Sequence, residues 1–218
     1  MITRVFNAPA PGPVCWVFGA APQSAPPRLD CRPGPEDFVI AADGGLRLCE
    51  ALGLTPHLLL GDLDSLGESV PAGLPLRRLP VEKDDTDTLA ALREGLARGY
   101  RFFRLYGGTG GRFDHTLANL QSLLFLARQG ATATLYDPHF TATLLENGSL
   151  RFPAGLCGTV SVFAFGGPAE GVCETGLKYQ VENVRLTPDF PLGVSNALVG
   201  QAAEISVKSG ALLILYLS

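Results

Sequence analysis

At 218 residues, the chain is long enough to form one large domain or two small ones. Hydrophobic residues make up 46% of it and charged residues 17%, which permits a substantial buried core and excludes an intrinsically disordered chain. The 17 Lys and Arg residues against 21 Asp and Glu residues give a net charge of −4. Because no basic excess is available to neutralise a run of phosphates, we expect no nucleic-acid partner. The composition does not exclude a local basic pocket.

The apolar stretches and the cysteines indicate the cellular location. The longest strongly apolar stretches, residues 14–22 and 211–217, fall short of the ~20 residues that span a bilayer, and the N-terminus lacks the pattern of a secretory signal. The five cysteines are odd in number and include no Cys-x-x-Cys pair, which favours buried free thiols over a zinc site or a disulfide framework. We therefore predict a cytoplasmic protein with no membrane partner.

The first two thirds of the chain alternate short apolar runs with helical patterns. The predicted strands are 14–19, 38–43, 57–61, 102–106 and 132–136, and the predicted helices are 46–52, 86–98 and 114–129. The second of these helices carries Leu89, Leu92 and Leu96 on one face, behind a start rich in Asp and Thr. Continuous apolar strands that alternate with helices predict a three-layer α/β domain over residues 1–146, with a mostly parallel sheet covered on both faces.

Helical periodicity disappears near Asn147-Gly148. Short β-like runs follow at 159–165, 177–181, 204–208 and 211–217. One of these runs alternates polar and apolar residues with period two, as a half-buried strand does, and the segment 207–211 has the composition of a hairpin turn. We predict a small all-β sandwich domain over residues 147–218. With roughly 70 residues it is small for independent stability, so we expect it to lean on the first domain or on another subunit.

The aspartates are concentrated in the loops and helix starts of the α/β part. Of the eleven in the chain, seven lie between positions 43 and 114, each just after a predicted strand or at a predicted helix start: Asp43, Asp62, Asp64, Asp84, Asp85, Asp87 and Asp114. Because the carboxyl ends of parallel strands converge on one edge of a sheet, these loops are expected to face one crevice. Crowded carboxylates repel unless a cation neutralises them, and hard oxygen ligands beside substrate phosphates suit Mg²⁺.

Asp62 and Asp64 are the most specific pair in this set. They follow a hydrophobic strand at positions i and i+2, a spacing that points both side chains to one side of an extended segment. Asp87, at a helix start, is the third ligand that we predict for Mg²⁺. For Asp85, Asp114 and Asp137 taken singly, helix capping and turn formation is the competing interpretation.

A glycine-rich segment, residues 106–115, lies between a predicted strand and a predicted helix. Glycine N–H groups and the start of a helix attract an anion, and the planar guanidinium of Arg112 suits phosphate oxygens. The segment matches neither the Walker A pattern nor Gly-x-Gly-x-x-Gly, and a flexible turn is the alternative interpretation. His115 is predicted to be a first-turn helix residue rather than a metal ligand, because no second His lies at ligand spacing. The residues alone predict a Mg²⁺-dependent enzyme that acts on a phosphorylated substrate, with a nucleotide as the expected one.

Six longer segments occur in a characteristic order along the chain. They are Ala42-Asp-Gly-Gly45, Gly61-Asp-Leu-Asp-Ser65, Lys83-Asp-Asp-Thr-Asp-Thr88, Gly111-Arg-Phe-Asp-His-Thr-Leu-Ala-Asn119, Thr175-Gly-Leu-Lys-Tyr179 and Val194-Ser-Asn196. With them the chain resembles the thiamine pyrophosphokinase (thiamine diphosphokinase) family from about residue 38 to the C-terminus. The resemblance implies an α/β domain, a C-terminal β-sandwich and active sites at the interface of a homodimer. It also implies transfer of the diphosphoryl group of ATP to the thiamine hydroxyl, with release of AMP and with Mg²⁺ as the metal.

The resemblance further implies roles for individual residues. Catalysis and Mg²⁺ binding are assigned to Asp62, Asp64 and Asp87. ATP binding is assigned to Asp43, Lys83, Asp84, Gly108, Arg112, Asp114 and His115. Thiamine binding is assigned to Leu177, Lys178, Tyr179, Ser195 and Asn196, which in a dimer can serve the partner subunit's site. The chain departs from the family pattern at Tyr179, where some members carry Trp, and at Ala197, where an acidic residue is common in bacterial members.

Three other functions compete with this one. A related pyrophosphokinase acting on another alcohol, such as a hydroxymethylpterin, would keep the acidic loops, but the segments 175–179 and 194–196 argue against it. A non-catalytic nucleotide sensor has little need for the charge of Asp62 and Asp64. A Mg²⁺ phosphohydrolase fits the Asp-Leu-Asp sequence but not the glycine-rich segment or the β domain. The products formed from ATP, with and without thiamine, separate all of these functions.

Overall fold

The structure is a computed structural model that describes residues 2–22, 27, 29–62, 70–80 and 84–217. In these ranges the strands are β1 (Ile2–Val5), β2 (Val14–Phe18), β3 (Phe38–Ala42), β4 (Leu58–Gly61), β5 (Leu76–Arg78), β6 (Phe102–Tyr106), β7 (Thr132–Tyr136), β8 (Thr141–Glu146), β9 (Gly148–Phe152), β10 (Cys157–Ala164), β11 (Ala169–Thr175), β12 (Val181–Leu186), β13 (Asn196–Val199), β14 (Ala203–Ser206) and β15 (Ala211–Leu217). The helices are α1 (Gly45–Ala51), α2 (Asp87–Ala97) and α3 (Phe113–Arg128). None of the helices in the described ranges is long and apolar enough to cross a bilayer.

The described chain divides into two compact units. The α/β unit comprises Ala10–Leu126 and Gly130–Pro138, and the β unit comprises residues 2–9, 127–129 and 139–217. This division differs from the predicted boundary at residue 146 for residues 127–129 and for two whole strands. β1 belongs to the β unit because it pairs with β9, and β8 belongs there because it pairs with β15. Both strand differences come from pairing partners that are distant in sequence, which a local pattern cannot reveal.

The α/β unit is built on a parallel sheet with the strand order β7-β6-β2-β3-β4-β5. The five predicted strands are confirmed, and every residue of β2 is buried, as a continuous apolar run predicts. The sixth strand, β5, lacks that signal because its three residues are all exposed at the sheet edge. The strand order reverses its direction at β2, so the carboxyl ends of β2 and β6 flank the point at which open α/β sheets bind ligands.

Helices cover both faces of this sheet. Cys49 of α1 packs in the same apolar cluster as Trp16 of β2, whereas Gly95 of α2 lies against Cys15 and Phe103. Successive residues of a strand point to opposite faces, so Trp16 and Cys15 place α1 and α2 on opposite sides of the sheet. The predicted three-layer arrangement is confirmed.

Two aspartates tie the Pro-rich segment between β2 and β3 to the sheet. The Asp37 carboxylate accepts hydrogen bonds from the backbone N–H of Val14 (2.8 Å) and from Nε1 of Trp16 (2.9 Å). The Asp30 carboxylate accepts from Arg104, whose guanidinium carbon lies 4.9 Å from the centroid of the Trp16 ring. Because both anchors lie on the Trp16 face of the sheet, these two aspartates are structural residues.

The β unit is a sandwich of two sheets. One sheet has the order β1-β9-β14-β11-β12 and is antiparallel except for the parallel pair of β1 and β9. The other has the order β13-β10-β15-β8 and is antiparallel throughout. Apolar side chains of both sheets, among them Leu150, Val160, Ile205 and Ile214, form one buried cluster. The predicted β-sandwich is therefore confirmed.

Two local predictions in this unit are wrong. Residues 177–181 do not form a strand, because Leu177 makes a single isolated bridge to Leu198 and β12 begins only at Val181. Residues 207–211 do not form a hairpin, because β14 pairs with β9 and β11 in one sheet whereas β15 pairs with β8 and β10 in the other. The turn carries the chain from one sheet to the other. A period-two pattern shows which face of a strand is buried but not which sheet the strand joins.

All five cysteines are free thiols, and two of them are buried. Burial raises the pKa of the Cys49 thiol to about 12, and it raises the pKa of Cys15 as well. Cys31 and Cys157 are exposed and Cys173 is half-buried, so the prediction of buried thiols holds for two of the five. Because the thiolate is the reactive form, the two buried thiols are inert at neutral pH.

Candidate active site

The loops that follow β2 and β6 meet at the carboxyl edge of the parallel sheet. Gly19 donates its N–H to the carbonyl oxygen of Tyr106 (2.8 Å), and Ala21 donates its N–H to the carbonyl oxygen of Gly107 (3.0 Å). Gly107 has a φ of 64°, and a Cβ atom there would lie 2.4 Å from the carbonyl oxygen of Gly19. Glycine alone accommodates both the backbone conformation and the close approach. Residues 107–109, the buried part of the glycine-rich segment, are therefore packed into the sheet edge, which argues against a flexible turn there.

Two side chains hold the glycine-rich segment in place. Asn119, which is buried in α3, donates from Nδ2 to the carbonyl oxygen of Gly108 (2.8 Å). The hydroxyl of Thr109 donates to the carboxylate of Asp137 in the loop after β7. Neither Asn119 nor Thr109 has a role that was predicted from the sequence. An asparagine on an otherwise apolar helix face is a usable signal, because a buried amide needs a hydrogen-bond partner.

Arg112, Asp114 and His115 lie at the start of α3. The Arg112 guanidinium pairs with the Asp114 carboxylate through two contacts, Nη2 to Oδ2 at 2.5 Å and Nε to Oδ1 at 3.1 Å. This pairing raises the pKa of Arg112 and lowers the pKa of Asp114. Both side chains are exposed, as is His115. An arginine carries five N–H donors, so Asp114 can orient the fork while other donors meet a phosphate.

Asp43 and Asp62 follow the neighbouring strands β3 and β4. Asp43 has a φ of 48° and donates its N–H to the carbonyl oxygen of Leu60 (2.8 Å). A Cβ atom on Gly61 would lie 3.0 Å from the Cβ of Asp43, so the residue before Asp62 lies against Asp43. Both aspartates are half-buried. They lie at the carboxyl ends of their strands, the edge of the sheet that also carries the glycine-rich segment.

Asp87 occupies the first turn of α2, where a negative charge suits the helix dipole. The helix begins there because the hydroxyl of Thr86 accepts the N–H of Leu89 (3.1 Å), which confirms the predicted Asp- and Thr-rich start of this helix. A Cβ atom on Gly19 would lie 3.4 Å from Oγ1 of Thr88. The first turn of α2 therefore lies beside the loop that follows β2.

The other site residues that are predicted for this edge are Asp64, Lys83, Asp84 and the competing candidate Asp85. Asp84 is exposed just before α2. Asp85, which also precedes α2, pairs with Arg93 of that helix, which supports a structural role for this aspartate. Asp64 and Lys83 lie outside the described residues.

The carboxylates of this edge fit a Mg²⁺ ion in chemistry. Across 2–22, 27, 29–62, 70–80 and 84–217, no three His, Cys, Asp or Glu side chains lie close enough together to hold one ion, and the predicted ligand Asp64 is outside these ranges. Mg²⁺ commonly binds through one or two carboxylates together with substrate phosphates and water. Asp62 and Asp87 supply donors of that kind, so the residues present fit this metal.

In the β unit, the two segments that are predicted to bind thiamine, residues 175–179 and 194–196, lie side by side. They are called the acceptor segments below, because thiamine is the predicted acceptor of the diphosphoryl group. Lys178 donates its N–H to the carbonyl oxygen of Ala197 (2.9 Å). The side chain of Asn196 binds the backbone of Tyr179 twice, since Oδ1 accepts the N–H (2.9 Å) and Nδ2 donates to the carbonyl oxygen (2.6 Å). The structure thus brings together residues that are 17 positions apart in the chain.

The five predicted residues of these segments differ in exposure. Leu177 and Asn196 are buried, so their side chains hold the segments in place. Lys178, Tyr179 and Ser195 are exposed. The ring of Tyr179 has the Lys178 ammonium nitrogen 5.2 Å from its centroid. The side chains that an acceptor can reach are therefore those of Lys178, Tyr179 and Ser195.

Glu174 is a further residue of this region, and no role for it was predicted from the sequence. It lies in β11, it is 3% exposed, and its Oε2 accepts a hydrogen bond from Nδ2 of Asn196 (2.8 Å). Burial raises the pKa of its carboxyl group, and the hydrogen bond from Asn196 opposes that rise. No local pattern connects residue 174 with residue 196, because they come together only in the folded sandwich.

An open parallel sheet with helices on both faces, a glycine-rich turn at its switch point and carboxylates along the same edge define a class, the α/β domains that bind phosphorylated ligands. Comparison with known proteins is more specific. Residues 35–135 match the family described as thiamin pyrophosphokinase, catalytic domain, and residues 149–212 match thiamin pyrophosphokinase, vitamin B1 binding domain. The chain belongs to the thiamin pyrophosphokinase family.

Individual relatives agree with this assignment. A thiamine pyrophosphokinase of Bacillus subtilis (strain 168) is 26% identical over 212 residues, which cover 91% of this chain and 96% of that protein. The crystal structure of a thiamine pyrophosphokinase from Bacillus subtilis has a TM-score of 0.83 and 26% identity, covering 95% of this chain and 99% of that chain. A thiamin pyrophosphokinase family protein from Enterococcus faecalis has a TM-score of 0.81 and 27% identity with the same coverage. The resemblance and the predicted fold class are confirmed.

Proposed function

We propose that this protein transfers the diphosphoryl group of ATP to the hydroxyl group of thiamine, giving thiamine diphosphate and AMP. The observation that carries the proposal is that one chain matches the catalytic half and the vitamin B1 binding half of the family in order. The geometry supports it, because each unit gathers candidate site residues of the matching half. A relative named thiamine pyrophosphokinase, similar over nearly its whole length, supports the same acceptor.

On the phosphate side, we assign ATP binding to the glycine-rich segment and the start of α3. The backbone N–H groups of that segment and the guanidinium of Arg112 are the anion-binding groups. Asp62, Asp64 and Asp87 are the carboxylates that we assign to Mg²⁺, which when bound neutralises part of the charge on the phosphate oxygens. Asp43, Lys83 and Asp84 complete the proposed nucleotide site.

The reaction is a displacement at the β-phosphorus of ATP. The acceptor oxygen forms a bond to that phosphorus, the bond to the oxygen bridging the α- and β-phosphates breaks, and AMP leaves with the electron pair. A carboxylate takes the hydroxyl proton, and Asp64 and Asp87 are the two candidates for this base. Because little other covalent chemistry is left to the protein, we attribute most of the rate acceleration to positioning and electrostatic stabilisation.

The products formed from ATP test this function. AMP and inorganic phosphate are measured with thiamine, with a hydroxymethylpterin and with no acceptor, and we expect AMP release that depends on thiamine. AMP release that depends on the pterin instead would identify a related pyrophosphokinase. Phosphate release without an acceptor would identify a phosphohydrolase, and nucleotide binding without either product would identify a sensor.

On the acceptor side, Tyr179 is expected to contribute an aromatic face for thiamine. Tyr179 is 60% exposed, and an aromatic face suits a cationic or aromatic ligand ring. Tyr179→Ala is expected to raise the KM for thiamine about tenfold, a loss of about 1.4 kcal/mol, while the KM for ATP stays unchanged. Tyr179→Phe keeps the ring and serves as the matched control. An equal rise in both KM values would contradict a role specific to the acceptor.

We also propose that the protein is a homodimer with its active sites at the interface between the two copies. Four apolar side chains between residues 190 and 199 are exposed by about half or more: Phe190, Leu192, Val194 and Val199. Exposed apolar side chains at this density are typical of a surface that another chain covers. Light scattering is expected to give twice the 23.0 kDa of one chain, and Leu192→Glu is expected to lower that mass. A monomeric wild-type protein would contradict this assembly.

We assign the enzyme to the cytoplasm. Its five cysteines form no disulfide, which fits a reducing compartment. Fractionation of the native cell with an antibody against the protein tests this assignment, and recovery from an oxidising compartment would overturn it.

A further inference from the structure

The buried carboxylate of Glu174 calls for a physical explanation. A carboxylate that is 3% exposed in an apolar sandwich destabilises the fold unless hydrogen bonds compensate for lost hydration. Its hydrogen bond comes from Nδ2 of Asn196 at 2.8 Å. An apolar residue of the same size could fill this volume at a lower energetic cost. We therefore expect the role of Glu174 to lie in the ability of its carboxylate to accept hydrogen bonds.

An ionised carboxylate only accepts hydrogen bonds, so it determines which way the Asn196 amide points. With Nδ2 turned toward Glu174, Oδ1 faces the N–H groups of Tyr179 (2.9 Å) and Ala197 (2.8 Å). The second hydrogen of Nδ2 reaches the carbonyl oxygen of Tyr179 (2.6 Å). If the amide flipped, its NH₂ group would face these two backbone N–H donors, and its oxygen would face a carboxylate and a carbonyl. Glu174 thereby selects the one amide orientation that joins the two acceptor segments.

Asn196 directly follows Ser195, a residue whose backbone conformation is unfavourable and must be stabilised by its neighbours. Ser195 has a φ of 60°, a left-handed value that is unfavourable for a residue with a side chain. Its N–H donates to the hydroxyl of Ser161 (3.0 Å), and the following residue is Asn196. The position of Ser195 therefore depends on neighbours that are themselves held by hydrogen bonds.

We propose that Glu174 is a positioning residue for the acceptor: it orients Asn196, and through Asn196 it holds the Tyr179 and Ser195 segments in the arrangement that binds thiamine. This inference rests on the proposed function for the identity of the acceptor. The hydrogen-bond network itself is independent of that function. The role differs from a purely structural one because it predicts a rise in the KM for thiamine while kcat and the KM for ATP stay unchanged.

Glu174→Met tests this role, because methionine keeps the volume and removes the acceptor atoms. The KM for thiamine is expected to rise tenfold or more, as is typical when a hydrogen bond to a charged group is lost (roughly tenfold to hundredfold). The kcat and the KM for ATP are expected to stay at the wild-type values, since only ground-state binding of the acceptor changes. The temperature midpoint of unfolding is expected to change little, because the gain from removing a buried charge is offset by the Nδ2 hydrogen of Asn196 that loses its acceptor.

Two variants make the test specific. Glu174→Gln keeps an acceptor oxygen and is expected to restore most of the thiamine affinity. Glu170→Met makes the same substitution in the same strand at an exposed residue paired with Arg185, and it is expected to leave both KM values unchanged. A wild-type KM for thiamine in Glu174→Met would overturn the proposal. So would a lower unfolding midpoint with a loss of kcat and an unchanged KM for thiamine.

Amide hydrogen exchange separates this proposal from the proposed function. Faster exchange of the Tyr179 and Ala197 N–H groups is expected in Glu174→Met, and not in Glu170→Met, whether or not thiamine is the acceptor. If the wild-type protein forms no AMP with thiamine, the proposed function fails while the exchange result still tests the network. If the wild-type enzyme is active and the exchange of both amides in Glu174→Met equals that of the wild type, the positioning role of Glu174 is overturned.

Discussion

Asp62→Asn is expected to abolish thiamine-dependent AMP release while the protein stays folded. Asparagine has nearly the same shape as aspartate but lacks its negative charge. Asp62 directly follows β4 and lies one residue from the contact between Gly61 and Asp43, so charge is removed at the centre of the acidic edge. The loss of one preorganised electrostatic group typically lowers kcat by about 10²–10³-fold, and loss of a metal ligand adds to that effect. The measurement is AMP formed per enzyme, together with the unfolding midpoint.

Asp85→Asn is the matched control for this substitution. Asp85 belongs to the same set of aspartates, but its carboxylate pairs with Arg93 at the surface. A surface ion pair contributes about 0–1 kcal/mol to stability, so nearly full activity and a nearly unchanged unfolding midpoint are expected. Near-normal activity of Asp62→Asn would mean that the carboxylate has no part in metal or phosphate binding. Equal losses in both variants would point to the local fold instead.

The α/β unit could be predicted closely because its information is local. The strands β2, β3 and β4 are apolar runs buried over nearly their whole length, and α2 begins at the predicted Asp- and Thr-rich start, with Thr86 as its cap. β5 could not be predicted, since all three of its residues are exposed. The anchoring of the Pro-rich segment was also inaccessible, because Asp37 and Asp30 find Trp16 and Arg104 only after β2 and β6 are paired.

The β unit shows where local information ends. Its strands alternate as expected, but the turn at 207–211 changes sheets, and β1 joins from the opposite end of the chain. The acceptor segments could be named from their resemblance to a family. The hydrogen bonds through which Asn196 joins the two segments could not be predicted. Glu174, which accepts a hydrogen bond from Asn196, is a buried acid in a strand of ordinary composition. A site built from long-range hydrogen bonds becomes visible only in the fold.

Gly107→Ala is expected to weaken both the fold and the binding of ATP. The backbone at this position has a φ of 64°, and an added Cβ atom would lie 2.4 Å from the Gly19 carbonyl oxygen and 3.0 Å from the side chain of Leu48. The left-handed conformation alone costs about 1–2 kcal/mol for a residue with a Cβ atom, and the overlap adds ~1–3 kcal/mol. The loops after β2 and β6 must separate to relieve it. A lower free energy of unfolding and a higher KM for ATP are therefore expected, measured by denaturant titration and initial rates.

Gly130→Ala separates the two causes of this effect. Gly130 has a φ of 71°, similar to that of Gly107, but an added Cβ atom meets nothing within 4 Å. Gly130→Ala should lower the free energy of unfolding by only ~1–2 kcal/mol, the cost of the left-handed backbone conformation. It should keep the wild-type KM for ATP. The difference between the two variants then measures how much the close approach of the loops contributes. If Gly107→Ala lost no more stability than Gly130→Ala and bound ATP normally, the packed turn would not be the phosphate-binding element, and that role would pass to the start of α3 alone.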